Sequence, residues 1–337
     1  GSTSGRPAEL FPALAGDNVM CAVEALPGRK YDVITFGDLC VDLIVSGEDV
    51  TPRFEQTEKL VDDYVIEMGG SCSLFACQAS KLGLCVGILG RVGDDAFGHL
   101  IMRRLNDAGV DTSGVVVDPM LKTGLGIALC HGADRAILTY MGSINTLRPA
   151  DVTDAYLASA RHLHYGSFFL HTGLAAHAPE IVQRARSLEV SVSLDTNWDP
   201  QERWNSRLHE VLPLIDVLMP NESEARYIGG QKDRESAVKA LQGWGVPIVA
   251  LKLGAAGASV YTENDTYVCT VARAEGGDGV GAGDSFDAGF LAGWLRGLPM
   301  GLCLEIACEC GRSVASAAGG LAGQPTWEQI CRVLDIP

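Results

Sequence analysis

The sequence predicts an α/β protein: a three-layer α/β/α domain around a mostly parallel sheet, with a small β lid projecting from it. Three observations lead there. Strand runs such as CVGILGRVG and VPIVALKLG are nearly continuous in apolar residues instead of alternating, as expected of strands covered by helices on both faces. Amphipathic helical patterns separate these runs along most of the chain. Two segments, near 41–68 and 125–141, carry polar turns that break the rhythm and read as the lid.

Taken in order, YDVITFGDLCVDLIV (31–45) is a strand, a tight turn at Gly37 and Asp38, and a second strand. Tyr64, Ile66 and Met68 then alternate like a half-buried strand. Gly69 and Gly70 open a helix with apolar Leu74, Phe75, Cys77 and Leu82, which Gly83 closes before the next strand. FGHLIMRRLNDAGVDTSGVVV repeats the helix–glycine–strand cycle, and LGIALCH with RAILTYM reads as a hairpin. Alternation resumes through HLHYGS, APEIVQRARSLE, VSVSLD, LHEVLPLI, DVLMPN, ESAVKALQGWG and VPIVALKLG, followed by a hairpin-like ASVYTENDTYVCTV. Finally SFDAGFLAGWLRG spaces Phe286, Phe290 and Trp294 along one helix face, so a helix is expected from about Gly283 or Asp284. No internal repeat or Pro/Ser-rich linker divides the chain, so one domain is expected over 31–337. Before it, GSTSG has the look of an expression scar, and the rest of 1–30 is an extension with little periodicity.

A formal charge of -16, from 42 acidic and 26 basic residues, argues against binding nucleic acid or an anionic membrane non-specifically. No apolar stretch is long enough to span a bilayer and no signal peptide is evident, so a soluble cytoplasmic protein is expected. The eleven cysteines lack CxxC spacing and mostly sit in apolar runs, where thiols pack as small hydrophobes. His162, His164 and His171 cluster in sequence, but no cysteine or carboxylate stands at ligand spacing, so packing is the expected role.

The stretch GGDGVGAGDSFDAGF (276–290) carries the chemistry. First-turn N–H groups of a helix have no internal partner and lie at the positive end of its dipole. Preceded by glycines, which keep side chains away, they form a nest suited to phosphate. A plain turn with Asp284 as N-cap is the other reading of the same residues. No GK[ST] follows and no GxGxxG opens the first strand–helix unit, so a Walker A loop is absent and a nicotinamide-binding fold is disfavoured.

GGDGVGAGDSFDAGFLAG resembles the C-terminal signature of the ribokinase-like, PfkB-type carbohydrate kinases, in which D-x-x-G-A-G-D-x-F carries an anion hole and a catalytic base. GGSCSLFACQASKLGLCVGILGRVGDDAFG (69–98) resembles the N-terminal signature, and DVLMPNESEA and VALKLGAAG resemble nucleotide-side segments in the same order. The resemblance runs from about residue 31 to the end. It implies a ribokinase-like fold and transfer of the ATP γ-phosphate to a hydroxyl of a small carbohydrate. By position, Gly281, Ala282 and Gly283 are the implied anion hole, Asp284 the base, and Asp42, Gly69 and Gly70 the substrate set. Asn221, Lys252, Gly254, Gly257 and Gly311 are implied on the nucleotide side, Glu224 toward Mg²⁺ through water, and Asp278 near a monovalent cation such as K⁺. Asp195 and Asn197 fall in a D-x-N segment at a strand end. Asp287 is outside the motif and reads as a solvated or helix-side carboxylate, and Asp38 as a turn residue facing water.

Two departures bear on the acceptor. Leu74 stands where many sugar-phosphorylating relatives have an asparagine, and Cys40 where some have a polar residue. Trp198 and Asp199 replace an arginine often found after the D-x-N asparagine, which disfavours an already phosphorylated substrate. A nucleoside kinase of the same fold, or a silent sugar- or nucleotide-binding protein, are the competing readings. Lid edges need cover, and relatives often pair through the lid, so a homodimer is expected.

Overall fold

The computed structural model describes residues 28–336 except 132, 133, 273, 275 and 278. The strands are β1 (Tyr31–Phe36), β2 (Cys40–Ser46), β3 (Asp63–Gly69), β4 (Val86–Gly93), β5 (Asp111–Asp118), β6 (Gly124–His131), β7 (Asp134–Tyr140), β8 (Ala160–Tyr165), β9 (Ser191–Leu194), β10 (Val217–Leu218), β11 (Ile248–Lys252), β12 (Ala258–Tyr261) and β13 (Thr266–Cys269). The helices are α1 (Ser71–Lys81), α2 (Ala96–Asp107), α3 (Asp154–Ala158), α4 (Thr172–Ala175), α5 (Ala178–Ser187), α6 (Leu208–Val211), α7 (Glu222–Gly229), α8 (Arg234–Gly243), α9 (Ala282–Trp294), α10 (Met300–Ala315) and α11 (Trp327–Val333).

Nine strands form one sheet in the order β13-β12-β11-β10-β9-β8-β1-β4-β5. Every pairing from β11 to β5 is parallel, and only the β11–β12 and β12–β13 pairings at one edge are antiparallel. Parallel strands need crossovers, which α1, α2, α5, α7 and α8 supply. The near-continuous apolar runs follow from two cores, one on each face. Along β1, Val33 enters the core built on α1, α9 and α10, while Ile34 and Phe36 enter the core built on α5, α7 and α8. Val217 and Leu218 of β10 divide in the same way. The three-layer α/β expectation therefore matches.

A separate four-stranded sheet has the order β3-β2-β6-β7. Its pairing register is Cys40↔Gly69 and Asp42↔Gly126, with β6 and β7 joined antiparallel. The alternation of Tyr64, Ile66 and Met68 has a different meaning from the expected one. Met68 is buried against the main body, but Tyr64 and Ile66 are 63% and 44% exposed. Because side chains alternate across a strand, their apolar face points outward and Glu67 shares the inner side with Asp42.

Candidate functional site

Catalytic residues in open α/β sheets gather beyond the carboxyl ends of the strands, and the glycine loop before α9 lies there. Gly276, Gly279 and Gly281 all have positive φ (83°, 69° and 72°). Gly281 at the N-cap lets the helix begin at Ala282, earlier than the sequence suggests. Asp284 is consequently not the N-cap but the third helical residue, and the cap makes no side-chain hydrogen bond. The Gly283 and Asp284 N–H groups have no partner among the described residues. Leu74 supports this loop from beneath. A Cβ on Gly281 would lie 3.0 Å from Leu74 Cδ1, and one on Gly320 only 2.6 Å from it. Leu74 is thus a buried strut of the glycine loop.

Ser71 Oγ, at the start of α1, donates a hydrogen bond to Asp284 Oδ1. Burial raises the Asp284 carboxyl to about 7, with Ser71 working against the shift and the Asp195 charge adding to it. A carboxyl poised there suits proton transfer near neutral pH.

Next to the loop, Lys252 anchors a cluster of acids. Its Nζ is 2.7 Å from Asp195 Oδ2 and 3.2 Å from Asp287 Oδ1, and it would be 3.7 Å from a Cβ on Gly283. Asp287 is fully buried, which corrects the reading of a solvated carboxylate. One helical turn beyond Gly283, it is directed at the ammonium that the loop also faces. Burial pushes the Asp287 carboxyl well up, whereas Lys252 and a hydrogen bond from Asp287 offset burial at Asp195 and hold it down. Burial thus disfavours the charged form more at Asp287 than at Asp195. Burial alone would lower Lys252, but Asp195, Asp287 and Glu224 outweigh it and raise it.

Asn221 and Glu224 form the capping box of α7: Asn221 Oδ1 accepts from the Glu224 N–H at 2.9 Å, and Glu224 Oε2 accepts from the Asn221 N–H at 2.8 Å. A β-bridge sets Asn221 beside Lys252. Glu224 is 5% exposed, and burial followed by the Asp195 charge raises it to about 7. Three acids therefore surround a single ammonium.

Across the site, the Asp42 carboxylate lies over two bare backbones. A Cβ on Gly69 would meet Asp42 Oδ2 at 2.1 Å, and one on Gly126 would meet Oδ1 at 2.5 Å. Gly126 was missed in the sequence. The available signal was a glycine inside a strand, which often marks close approach of another group. Gly70, at φ 86°, leaves no room for a side chain, since a Cβ would lie 2.1 Å from the Asp38 carbonyl oxygen. Asp38 is not a water-facing turn residue. It is buried and accepts hydrogen bonds from the N–H groups of Ser71 (2.8 Å) and Cys72 (2.9 Å) and from Ser167 Oγ (2.8 Å). Those donors lie 33 and more residues away in sequence, beyond any local pattern.

The remaining candidates are placed as follows. Gly254 opens a short turn after β11 and faces open space, while a Cβ on Gly257 would strike the Cys269 carbonyl oxygen at 2.0 Å. Gly311 lies where α10 crosses α9, with its Cβ position 3.1 Å from the Ala282 carbonyl oxygen. Asp278 lies outside the described residues. His162 and His164 are buried and hydrogen-bond Ser191 and Ser193, in keeping with packing.

Comparison with known proteins places the chain in a family. A family profile for pfkB family carbohydrate kinases matches residues 30–327. The 5-dehydro-2-deoxygluconokinase of Geobacillus kaustophilus (strain HTA426) is 29% identical over 318 residues, 90% of this chain and 93% of that protein. The ATP-dependent ribose-1-phosphate kinase of Halopiger xanaduensis is 31% identical over 276 residues, 79% and 86% of the two chains. A crystal structure of a putative ribokinase II from E. coli, in complex with ATP and Mg²⁺, superposes with a TM-score of 0.80 at 25% identity, covering 90% of this chain and 99% of that one. With the glycine-capped helix and its carboxylate already in place, these matches show that the chain belongs to the pfkB family of carbohydrate kinases and phosphorylates a sugar hydroxyl with ATP.

Proposed function

We propose that Asp284 is the general base of this kinase and that the amides of the Gly281–Gly283 loop hold the phosphoryl group in flight. The observation that carries the reading is a single one: a carboxyl raised to about 7 stands one residue from helix N–H groups that have no partner among the described residues. The acceptor hydroxyl gives its proton to Asp284 as its oxygen attacks the γ-phosphorus. Developing charge on the transferred group is met by the loop amides and by Lys252. Ser71 releases Asp284 to the incoming hydroxyl, and Asp42, backed by Gly69 and Gly126, accepts hydrogen bonds from other hydroxyls of the sugar. Gly254 and Gly257 border the nucleotide, with Gly311 at the α9–α10 crossing behind it.

Mg²⁺ fits the donor set, because the buried Asp195 and Glu224 supply oxygen ligands beside Lys252, and a cation there would favour the charged form of the raised Glu224 carboxyl. Asn221 and Glu224 would hold it through water, where it neutralises phosphate charge. A monovalent cation near Asp278 is tested by comparing turnover in potassium and sodium salts.

The acceptor is a small sugar or sugar acid. A relative that is 29% identical is named for 5-dehydro-2-deoxygluconate, so deoxy-keto sugar acids lead the panel, followed by ribose, fructose and nucleosides. ADP release with Mg-ATP reads the panel. Turnover of a nucleoside alone would overturn the carbohydrate assignment.

Residues 31–337 act as one kinase domain whose four-stranded sheet closes over the acceptor as a lid. The face opposite Asp42 is apolar: Tyr64, Ile66, Leu138 and Tyr140 are exposed on it. An apolar sheet face of this kind supports a homodimer paired through the lid. Sedimentation at one protomer mass across micromolar concentrations would exclude it, and Ile66→Asp with Leu138→Asp should split a dimer that forms. Among the described residues no helix is long and apolar enough to cross a membrane. Free cysteines at ten described positions support a reducing, cytoplasmic setting.

A further inference from the structure

Behind the acceptor floor, three ligand-bearing side chains converge at the carboxyl end of β1. The ligand atoms of Asp38, Cys72 and His171 all lie within 4.8 Å of one another, and all three residues are buried. The group joins three separate elements: the turn after β1, the first turn of α1 and the N-terminus of α4. Its space comes from Gly37. A Cβ there would lie 2.5 Å from His171 Nε2 and 3.0 Å from Cys72 Sγ, so both atoms occupy the room a side chain would take.

The imidazole is the anomaly. His171 is fully buried, and neither ring nitrogen has a hydrogen-bond partner among the described residues. Leaving both nitrogens unsatisfied is costly, since each buried polar group without a partner forfeits its hydration. Asp38 adds a buried carboxyl with no ion-pair partner among the described residues, held by three donors that leave lone pairs free. Cys72 Sγ donates to the Phe36 carbonyl oxygen at 3.2 Å, with the Asp38 and Thr35 side chains also beside it. A further unpartnered nitrogen, His164 Nε2, borders the same sulfur: a Cβ on Gly166 would be 3.0 Å from Cys72 Sγ and 3.4 Å from His164 Nε2.

We propose that Asp38, Cys72 and His171 form a binding site for a divalent transition metal, with Zn²⁺ as the best match to one sulfur, one imidazole and one carboxylate. Mixed S/N/O donors select zinc over magnesium or calcium, which take oxygen. Binding expels the thiol proton, and a dication with one thiolate and one carboxylate is a neutral buried unit. The metal satisfies one His171 nitrogen and gives the Asp38 carboxyl a positive partner. The site is separate from the nucleotide magnesium. Its role is positional: Cys72 follows Ser71, so the metal fixes the turn of α1 that presents Ser71 to Asp284.

The test uses the full chain, stripped with chelator, given one equivalent of Zn²⁺, desalted and assayed for metal by mass spectrometry. About one zinc per chain should be retained by the parent and by Asp284→Asn, while Cys72→Ser and His171→Gln should each lower retention by more than about 10-fold. No retention by the parent, or equal retention by both ligand variants, overturns the proposal. Equal retention would mean adventitious binding at the other thiols. Should the variants fail to fold, zinc-edge X-ray absorption of the parent decides. One sulfur with nitrogen and oxygen neighbours is expected, and a shell of two or more sulfurs overturns it. Neither readout depends on kinase activity, so failure here leaves the phosphotransfer reading untouched.

Discussion

Two helices of this protein start from glycine at the same site, and their first turns have opposite fates. At α1, Gly70 caps the helix and the N–H groups of Ser71 and Cys72 are both taken by the carboxylate of Asp38. At α9, Gly281 caps the helix and the N–H groups of Gly283 and Asp284 are left without a partner among the described residues. Both ends carry the same dipole and the same unsatisfied donors. The protein supplies its own anion to the first and none among the described residues to the second, as the proposed anion hole requires. Glycine before a helix therefore does not identify an anion site; what identifies it is the missing internal acceptor.

The largest effect that sharpens this contrast is on catalysis. Asp284→Asn should lower turnover at least about 100-fold, within the range of a general base, with nucleotide affinity nearly unchanged. The folded variant matching the parent at saturating Mg-ATP with the true acceptor would remove Asp284 from the mechanism. Asp38→Ala should act on the other helix and in the other currency. It strands two amides and a hydroxyl in the interior, a loss of about 3 kcal/mol in denaturant unfolding. If it instead weakened ATP binding in a protein of normal stability, the division between the two helix ends would fail.

The two glycines offer a finer comparison. Gly70→Ala puts a methyl group 2.1 Å from the Asp38 carbonyl oxygen at positive φ and should cost about 1–3 kcal/mol in stability. Gly283→Ala meets only the Lys252 side chain, Nζ at 3.7 Å and Cδ at 4.0 Å, so stability should hold within about 0.5 kcal/mol. Its methyl group stands beside the open amides, so turnover should fall instead. Paired melting and kinetic measurements would show whether the costs divide this way.

The smallest effect is on pH. The rate at limiting acceptor should rise with pH and level off above about 7 as Asp284 loses its proton. Stability should move oppositely. A carboxyl raised on folding is neutral in the folded protein and charged in the unfolded chain between the ordinary carboxylate range and about 7, so its contribution is lost as pH rises through that window. Asp284→Asn, neutral throughout, should therefore gain on the parent at pH 8 but not at pH 4. An equal difference at both values would show that the shift is absent.

Asp287 shows why parts of the site were hidden in the sequence. Three residues after Asp284 on α9, it looked like a helix-side carboxylate; Lys252 comes from a strand 35 residues earlier, and only their meeting makes it a buried acid. Lys252→Met, which strands Asp195 and Asp287, should cost about 3–5 kcal/mol in chemical denaturation. Asp287→Asn replaces a carboxyl whose charge burial already disfavours and should cost much less.

What the sequence determined by itself is what short-range periodicity and backbone chemistry can encode. The apolar runs of β1, β4 and β11 specify strands buried on both faces, and the helical patterns between them specify parallel order. The glycines of 276–290 specify a helix start free of side chains, because positive φ and a bare first turn are local properties. Tertiary structure decided which donors and acids find partners. It brought Asp38 to α1, Lys252 to Asp195 and Asp287, and Leu74 beneath Gly281, and it laid Asp42 across Gly69 and Gly126 through the register of β2 with β3 and β6. Those outcomes depend on distance in space between groups far apart in the chain. Burial there both shifts a carboxyl and selects its partner, and no local pattern records it.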